Sequence, residues 1–222
     1  MTLVSHARAV TKPLEVFFAL LLLCLLAACG DSPKYQPLPR GTVVLAFGDS
    51  VTHGTGAKAE EDYPTRLSQR SGWDVVNAGV PGDTARAAKS RIEKLLREVE
   101  PALVIVELGG NDFLRRHPDS EVKEDLRTIL RAVKQSGAMP VLVSVPALSM
   151  FRAGVGSLSD SAIYAELAKE ESVLLVKDVF SGVLSDASLR ADQIHPNAEG
   201  YRVLADAIAT ALGRAGLLVP QP

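Results

Sequence analysis

"VVLAFGDSVTHG" (residues 43–54) passes from five consecutive apolar residues into a glycine, an acid and a serine. An apolar run this short, stopped by Gly48, reads as a strand buried on both faces. Such strands belong to parallel sheets, whose two faces are covered by crossover helices. The rest of the chain repeats the pattern. Strand candidates lie at 42–48, 74–77, 103–108, 141–145 and 173–177. Helical spacing fills the intervals: Ile92, Leu95, Leu96 and Val99 within 85–99, then Val122, Leu126, Ile129, Leu130 and Val133. A shorter helix is expected over 162–171, and a closing one over 198–212 with Tyr201, Leu204, Ile208 and Leu212 on one face. Alternating elements of this kind predict a three-layer α/β/α sandwich around a five-stranded parallel sheet, with right-handed crossovers.

The 222 residues are 47% hydrophobic and 23% charged, with a formal net charge of −2. That balance suits one domain with a sizeable core and argues against nucleic acid as a partner. Only the start of the chain departs from it. Arg8 and Lys12 precede the apolar run "VFFALLLLCLLAA" (16–28), which is shorter than the roughly 20 residues of a spanning helix. A basic start, a short apolar run and then small residues have the layout of a secretion signal, assigned to 1–28. Both cysteines, Cys24 and Cys29, lie in or beside this segment, so the remainder has no disulfide and no cysteine-based metal site. Residues 30–41, "GDSPKYQPLPRG", are proline-rich and read as a tether reaching roughly 40 Å at most. The domain itself is expected over 42–215, with a tail at 216–222.

In a parallel sheet, ligands bind beyond the carboxyl ends of the strands. That rule selects the loops 48–54, 78–84, 109–116 and 146–160 and the segment before the last helix. They contain Ser50, "NAGVPGDT" (77–84), "GGNDFLRR" (109–116) and "DQIHP" (192–196). A serine becomes a useful nucleophile only when a base takes its proton. Of the four histidines, His6 lies in the signal and His117 follows two arginines on a loop. His53 stands three residues after Ser50, as a solvated loop residue. His195 has Asp192 three residues before it in a turn, which lets the carboxylate hold one ring nitrogen while the other faces the serine. The neighbours of Ser50, Asp49 and Val51, do not fit the G-x-S-x-G elbow of α/β-hydrolases. Asp49, Asp83 and Asp112 are expected to cap loops and fix backbone rather than take part in the chemistry, and Glu107 to be a hydrogen-bonded structural residue. Gly109 and Gly110 are expected to let Asn111 approach a ligand closely.

These four blocks, in this order across 42–212, resemble the SGNH/GDSL hydrolase family, and within it the branch of thioesterase I, lysophospholipase and arylesterase enzymes. The resemblance implies a flavodoxin-like fold and a serine esterase with Ser50, His195 and Asp192 as catalytic residues. It implies acyl esters or thioesters as substrates, lysophospholipids among them, with no cofactor and no metal. It also places oxyanion donors on the backbone N–H of Ser50, a glycine of the second loop and the side chain of Asn111. Gly79 and Gly82 both stand in that loop. The resemblance selects Gly82, which also lies next to a helix N-terminus, where free N–H groups favour negative charge.

Phe113 replaces the small residue found after "GGND" in relatives of thioesterase I. With Met150 and Phe151 it is expected to line the acyl side of the site and to favour short to medium chains. "LAAC" (26–29) resembles the lipobox of bacterial lipoproteins, which implies a lipidated Cys29 and an envelope protein facing the periplasm. Asp31 stands one place beyond the position that favours inner-membrane retention, so the outer membrane is the expected destination. A monomer is expected. Two other readings stand beside the esterase: a carbohydrate O-acetylesterase on the same fold, and a non-catalytic lipoprotein that binds lipid or carbohydrate. Intact Ser50, Asn111, Asp192 and His195 argue against the last.

Overall fold

Five apolar segments form β1 (Val43–Gly48), β2 (Asp74–Gly79), β3 (Leu103–Glu107), β4 (Met139–Val143) and β5 (Leu174–Val176) in a computed structural model that describes residues 35–147 and 158–219. All neighbouring pairs are parallel, in the order β2-β1-β3-β4-β5. β3 and all of β1 but its first residue are buried, as their uninterrupted apolar runs require, while the edge strands β2 and β5 are only partly covered.

The helices among the described residues are α1 (Ser50–His53), α2 (Tyr63–Ser71), α3 (Ala85–Lys89), α4 (Ile92–Val99), α5 (Gly110–Leu114), α6 (Asp119–Gln135), α7 (Ala162–Glu170), α8 (Val179–Ser185) and α9 (Ala198–Ala215). One layer groups α2, α8 and α9; the other groups α3, α4, α6 and α7. The three-layer α/β/α arrangement is therefore the observed one. In α6, the stripe Val122, Leu126, Ile129, Leu130 and Val133 is buried, as its spacing predicts.

Three expectations change. The helix expected over 85–99 is two helices, broken at Ser90 and Arg91. Residues 35–41 are not a free tether: the N–H of Tyr35 donates to Ala215 O at 3.0 Å, that of Leu38 to Leu217 O at 2.9 Å and that of Gly41 to Gly72 O at 2.7 Å. The unit thus begins at Tyr35. Nor is 216–219 a loose tail, since Leu217 and Leu218 are buried in the core. The signal, Cys29 and the first residues of the expected tether lie outside the described residues.

α2 comes without a clear apolar stripe in the sequence. α2 has local signals instead: Asp62 accepts from Thr65 N at 2.9 Å as its cap, Pro64 stands in the first turn, and Gly72 ends it at φ +73°.

Candidate active site

The register of the sheet aligns Gly48 of β1 with Gly79 of β2 and Glu107 of β3, so three loops leave the sheet side by side. This is also where strand order reverses, the place where such sheets open a crevice. Neither glycine has room for a side chain. A Cβ on Gly48 would lie 2.5 Å from Glu107 O, and one on Gly79 would lie 2.2 Å from the backbone nitrogen of His53. These close approaches, with the bond from Asn77 Nδ2 to Thr52 O at 2.9 Å, seat α1 directly on the sheet edge.

Ser50 is the first residue of α1, so its N–H has no partner within the helix. Asp49 caps the turn by accepting from Val51 N at 3.0 Å. His195 arrives from the far end of the chain on a tightly fixed loop. Arg190 bridges Pro196, Ala191 N donates to His195 O at 2.9 Å, and Asn197 caps α9 by accepting from Gly200 N at 3.0 Å. Tyr201 of α9 donates its hydroxyl to Thr55 O at 2.8 Å, tying that helix to the loop after Ser50.

The result is a continuous chain. His195 Nε2 lies 2.9 Å from Ser50 Oγ, and His195 Nδ1 lies 2.8 Å from Asp192 Oδ2. A carboxylate can only accept, so Nδ1 carries the ring proton and Nε2 is free to accept from the serine hydroxyl. Asp192 Oδ1 also accepts from the N–H groups of Ile194 and His195 at 2.8 and 2.9 Å. Partial burial works against ionisation of Asp192, but the bonds from His195 and Ile194 outweigh it and hold the carboxyl below its ordinary range. His53 is exposed at the end of α1 and takes no part in this chain.

Asn111 faces Ser50 from the third loop. Its Nδ2 donates to Asp49 Oδ2 at 3.1 Å and to Asp83 O at 3.0 Å, and two acceptors on one side fix which end of the amide points there. Gly82 lies on the exposed turn before α3 at φ +85°, a conformation that favours glycine. Its carbonyl accepts from Arg115 Nη2 at 3.0 Å. Asp112 does cap, but at a distance: its Oδ2 accepts from Ala85 N of α3 at 2.8 Å. Asp83 does not cap; it pairs with Arg91. The special glycine of the third loop answers to packing rather than to a ligand. Gly109 sits at φ +120° with its missing Cβ 2.2 Å from the hydroxyl of Tyr164.

Beneath the site lie two buried acids, Asp49 and Glu107. Glu107 Oε2 accepts from Thr52 Oγ1 at 3.0 Å, while Oε1 has no partner among the described residues. Burial, and after it the neighbouring Asp49, push its carboxyl well above the usual range. Burial likewise pushes Asp49 up to about 6, partly offset by the bonds from Val51 N and Asn111.

Phe113 is not on the cleft wall. It is buried against Tyr164, ring edge to face with centroids 6.4 Å apart. The short helix α5 turns successive residues to different sides, and the next one, Leu114, faces the site. Leu114, Val145, Phe180 and Ile194 form the apolar wall of a recess of about 30 Å³ beside Ser50, Asn111 and His195. Met150 and Phe151 lie outside the described residues. Among those described, no cluster of His, Cys, Asp and Glu could hold a metal ion.

With this geometry in view, the relatives are informative. Residues 46–203 match the GDSL-like Lipase/Acylhydrolase family. The thioesterase 1/protease 1/lysophospholipase L1 of Escherichia coli (strain K12) is 34% identical over 199 residues, covering 88% of this chain and 90% of that protein. The arylesterase of Vibrio mimicus is 28% identical, covering 86% and 94%. Among solved structures, AlinE4, an SGNH-hydrolase family esterase, matches with a TM-score of 0.62 at 31% identity, covering 80% of this chain and 98% of that one.

Burial of Asp49 makes stability depend on pH in a definite direction. Its folded-state pKa of about 6 lies above the ordinary 3.8, so the unfolded chain loses the proton first as pH rises. The folded state is therefore penalised progressively between about pH 4 and pH 6, and fully above that. Asp49→Asn removes this penalty whatever else it costs. Melting temperatures should show the variant gaining on the wild type from about pH 4 to about pH 6 and holding a steady difference above that. A difference that stays constant, or shrinks, between about pH 4 and pH 6 would count against a raised pKa at Asp49.

Proposed function

The chain belongs to the GDSL-like Lipase/Acylhydrolase family and is an ester hydrolase, and from that premise we propose that it cleaves acyl esters through a covalent Ser50 intermediate. The observation that carries the reading is the chain of short contacts from Ser50 Oγ to His195 Nε2 at 2.9 Å and from His195 Nδ1 to Asp192 Oδ2 at 2.8 Å. Ser50 Oγ attacks the carbonyl carbon while its proton passes to His195 Nε2. Asp192 stabilises the imidazolium and keeps the ring oriented. The N–H groups of Ser50 and Gly82 and the Asn111 amide bind the oxyanion. Negative charge developing on that oxygen draws a share of an Asn111 hydrogen that Asp83 O otherwise accepts. His195 then returns the proton to the leaving alcohol or thiol, and water repeats the sequence on the acyl-enzyme.

The wall formed by Leu114, Val145, Phe180 and Ile194 supports an apolar acyl group, and the small recess supports a short to medium one. Oxyanion donors typically contribute on the order of 10²–10³ in rate each, so much of the rate enhancement comes from that side of the site. The same small recess also suits an acetyl group, which keeps a carbohydrate O-acetylesterase as the second reading. Resemblance of "LAAC" to a lipobox supports a lipid anchor at Cys29, with the enzyme held at a membrane surface in the cell envelope. Among the described residues no helix is long and apolar enough to cross a membrane.

Purified protein should hydrolyse p-nitrophenyl esters, and Ser50→Ala and His195→Ala should each reduce kcat by at least about 10³-fold without loss of fold. Asp192→Ala should cost less, because its role is to orient and stabilise. His53→Ala should retain most activity; an inactive His53→Ala beside an active His195→Ala would reassign the base.

In a chain-length series, kcat/KM should rise several-fold from acetyl to butyryl or hexanoyl, since each buried CH₂ contributes up to about 0.8 kcal/mol. An optimum at acetyl, with no gain beyond it, would favour the carbohydrate O-acetylesterase.

Cys29→Ser should release the protein from the membrane fraction or leave its signal uncleaved, because stable anchoring needs more than one acyl chain or signal. Recovery of wild-type protein as a soluble form without lipid would exclude the anchor.

A further inference from the structure

Arg91 has no part in the mechanism above, yet its guanidinium touches both strands that launch the site. It stands at the break between α3 and α4, and that break turns its side chain back toward the sheet edge. Nη2 donates to Gly48 O at 2.8 Å, at the end of β1; Nη1 donates to Ala78 O at 2.9 Å, near the end of β2. Nε donates to Asp83 Oδ2 at 2.8 Å, and the guanidinium lies over the Phe47 ring, 4.2 Å from its centroid. Three donors of one planar group thus meet three acceptors on two strands and a turn. A lysine could not reproduce this, having one nitrogen where arginine has a rigid fork.

Two of the three acceptors adjoin groups assigned to the oxyanion, and the third, Ala78 O, fixes the end of β2 from which the Gly82 loop leaves. Gly48 lies two residues before Ser50. Asp83 follows Gly82 directly, and its own carbonyl accepts from Asn111 Nδ2. Without the guanidinium, the Gly82–Asp83 turn keeps its ties toward β1 only through the backbone bonds Asp83 N to Val80 O and Val80 N to Gly48 O and through the Asn111 amide that joins Asp83 O to Asp49, itself one of the groups to be positioned.

We propose that Arg91 is a positioning residue that holds the Ser50, Gly82 and Asn111 donors in one fixed frame. The proposal rests on the serine-esterase reading of the site. It assigns Arg91 to the transition state rather than to substrate binding, since the donors it places meet the oxyanion and not the acyl chain.

The test is steady-state kinetics of Arg91→Ala and Arg91→Lys on p-nitrophenyl butyrate, with melting temperatures and fluorophosphonate labelling of Ser50 recorded alongside. Misplaced donors should lower kcat by about 10- to 100-fold in Arg91→Ala, with KM within about threefold of wild type. Arg91→Lys should fall between the two. Guanidinium at low millimolar concentration should restore part of the lost kcat in Arg91→Ala and leave wild type unaffected. Affinity for a trifluoromethyl ketone, which forms a tetrahedral oxyanion, should fall in step with kcat. Retention of kcat within about threefold by folded Arg91→Ala would overturn the proposal, as would a loss confined to KM. Should Arg91→Ala not fold, Arg91→Lys decides: wild-type kcat there overturns the proposal, and a selective kcat loss upholds it. Failure of the wild type itself to turn over ester or take the label would refute the site's reading, a result separate from any effect of Arg91.

Discussion

The common register of β1, β2 and β3 is the constraint on which the site depends. Parallel pairing brings Gly48, Gly79 and Glu107 level with one another, so the loops that follow must emerge together. Two of those positions carry no side chain, and the backbones there approach too closely for one. That closeness lets a single turn of helix, α1, rest against the sheet edge with Ser50 at its start. Had either strand slipped by one residue, inward and outward side chains would exchange and the serine would leave the crevice.

The alternation of apolar runs and amphipathic stretches made the sheet and its crossovers legible, because burial on both faces leaves no other pattern for a parallel strand. Ser50, Asp192 and His195 were legible as candidates from the loops that bear them and the spacing within "DQIHP", and Asn111 from the resemblance of its block. What the sequence could not show were features set by packing between elements. Arg91 lies in an apparently continuous helical stretch, and only the folded chain shows the break there and the guanidinium reaching the carbonyls of Gly48 and Ala78. Phe113 and Leu114 look interchangeable as apolar neighbours, yet a five-residue helix sends one to Tyr164 and the other to the cleft. Residues 35–41 look like linker by composition. They are anchored through backbone N–H groups, which leave no trace in residue type. The caps of α2, by contrast, were present in Asp62, Pro64 and Gly72 and outweigh its lack of an apolar stripe.

Burying acids beneath the site is costly, and the arrangement limits that cost. Ionising both Asp49 and Glu107 would bring like charges together in a poorly solvated space, and burial with that repulsion pushes the Glu107 carboxyl well above its usual range. The Asp49 oxygens serve the α1 cap and the Asn111 amide. An asparagine in place of Asp49 would present either a donor to a donor or lose the cap. The carboxylate is thus suited to a task that its neutral isostere cannot perform, which explains why a residue so costly to bury occupies the position.

The two sides of the crevice follow opposite physical logic. Donors assigned to the oxyanion are bound into a polar frame that runs from buried Asp49 to the exposed Gly82 turn, where fixed dipoles need no reorganisation as charge appears. The acid–base side is open: the Asp192 side chain is 54% exposed, although His195 is only 13% exposed. A proton must leave Ser50, reach the leaving group and later come from water, so that side has to exchange with solvent. Rigidity for Asp192 comes instead from the local turn, in which two backbone N–H groups grip one of its oxygens. Packing holds one half of the site in place, and a four-residue loop motif holds the other. This is why the Asp192–His195 pair could be read from the spacing in "DQIHP", whereas Gly82 and Asn111 were named by the resemblance and the contacts that hold them became visible only in the folded chain.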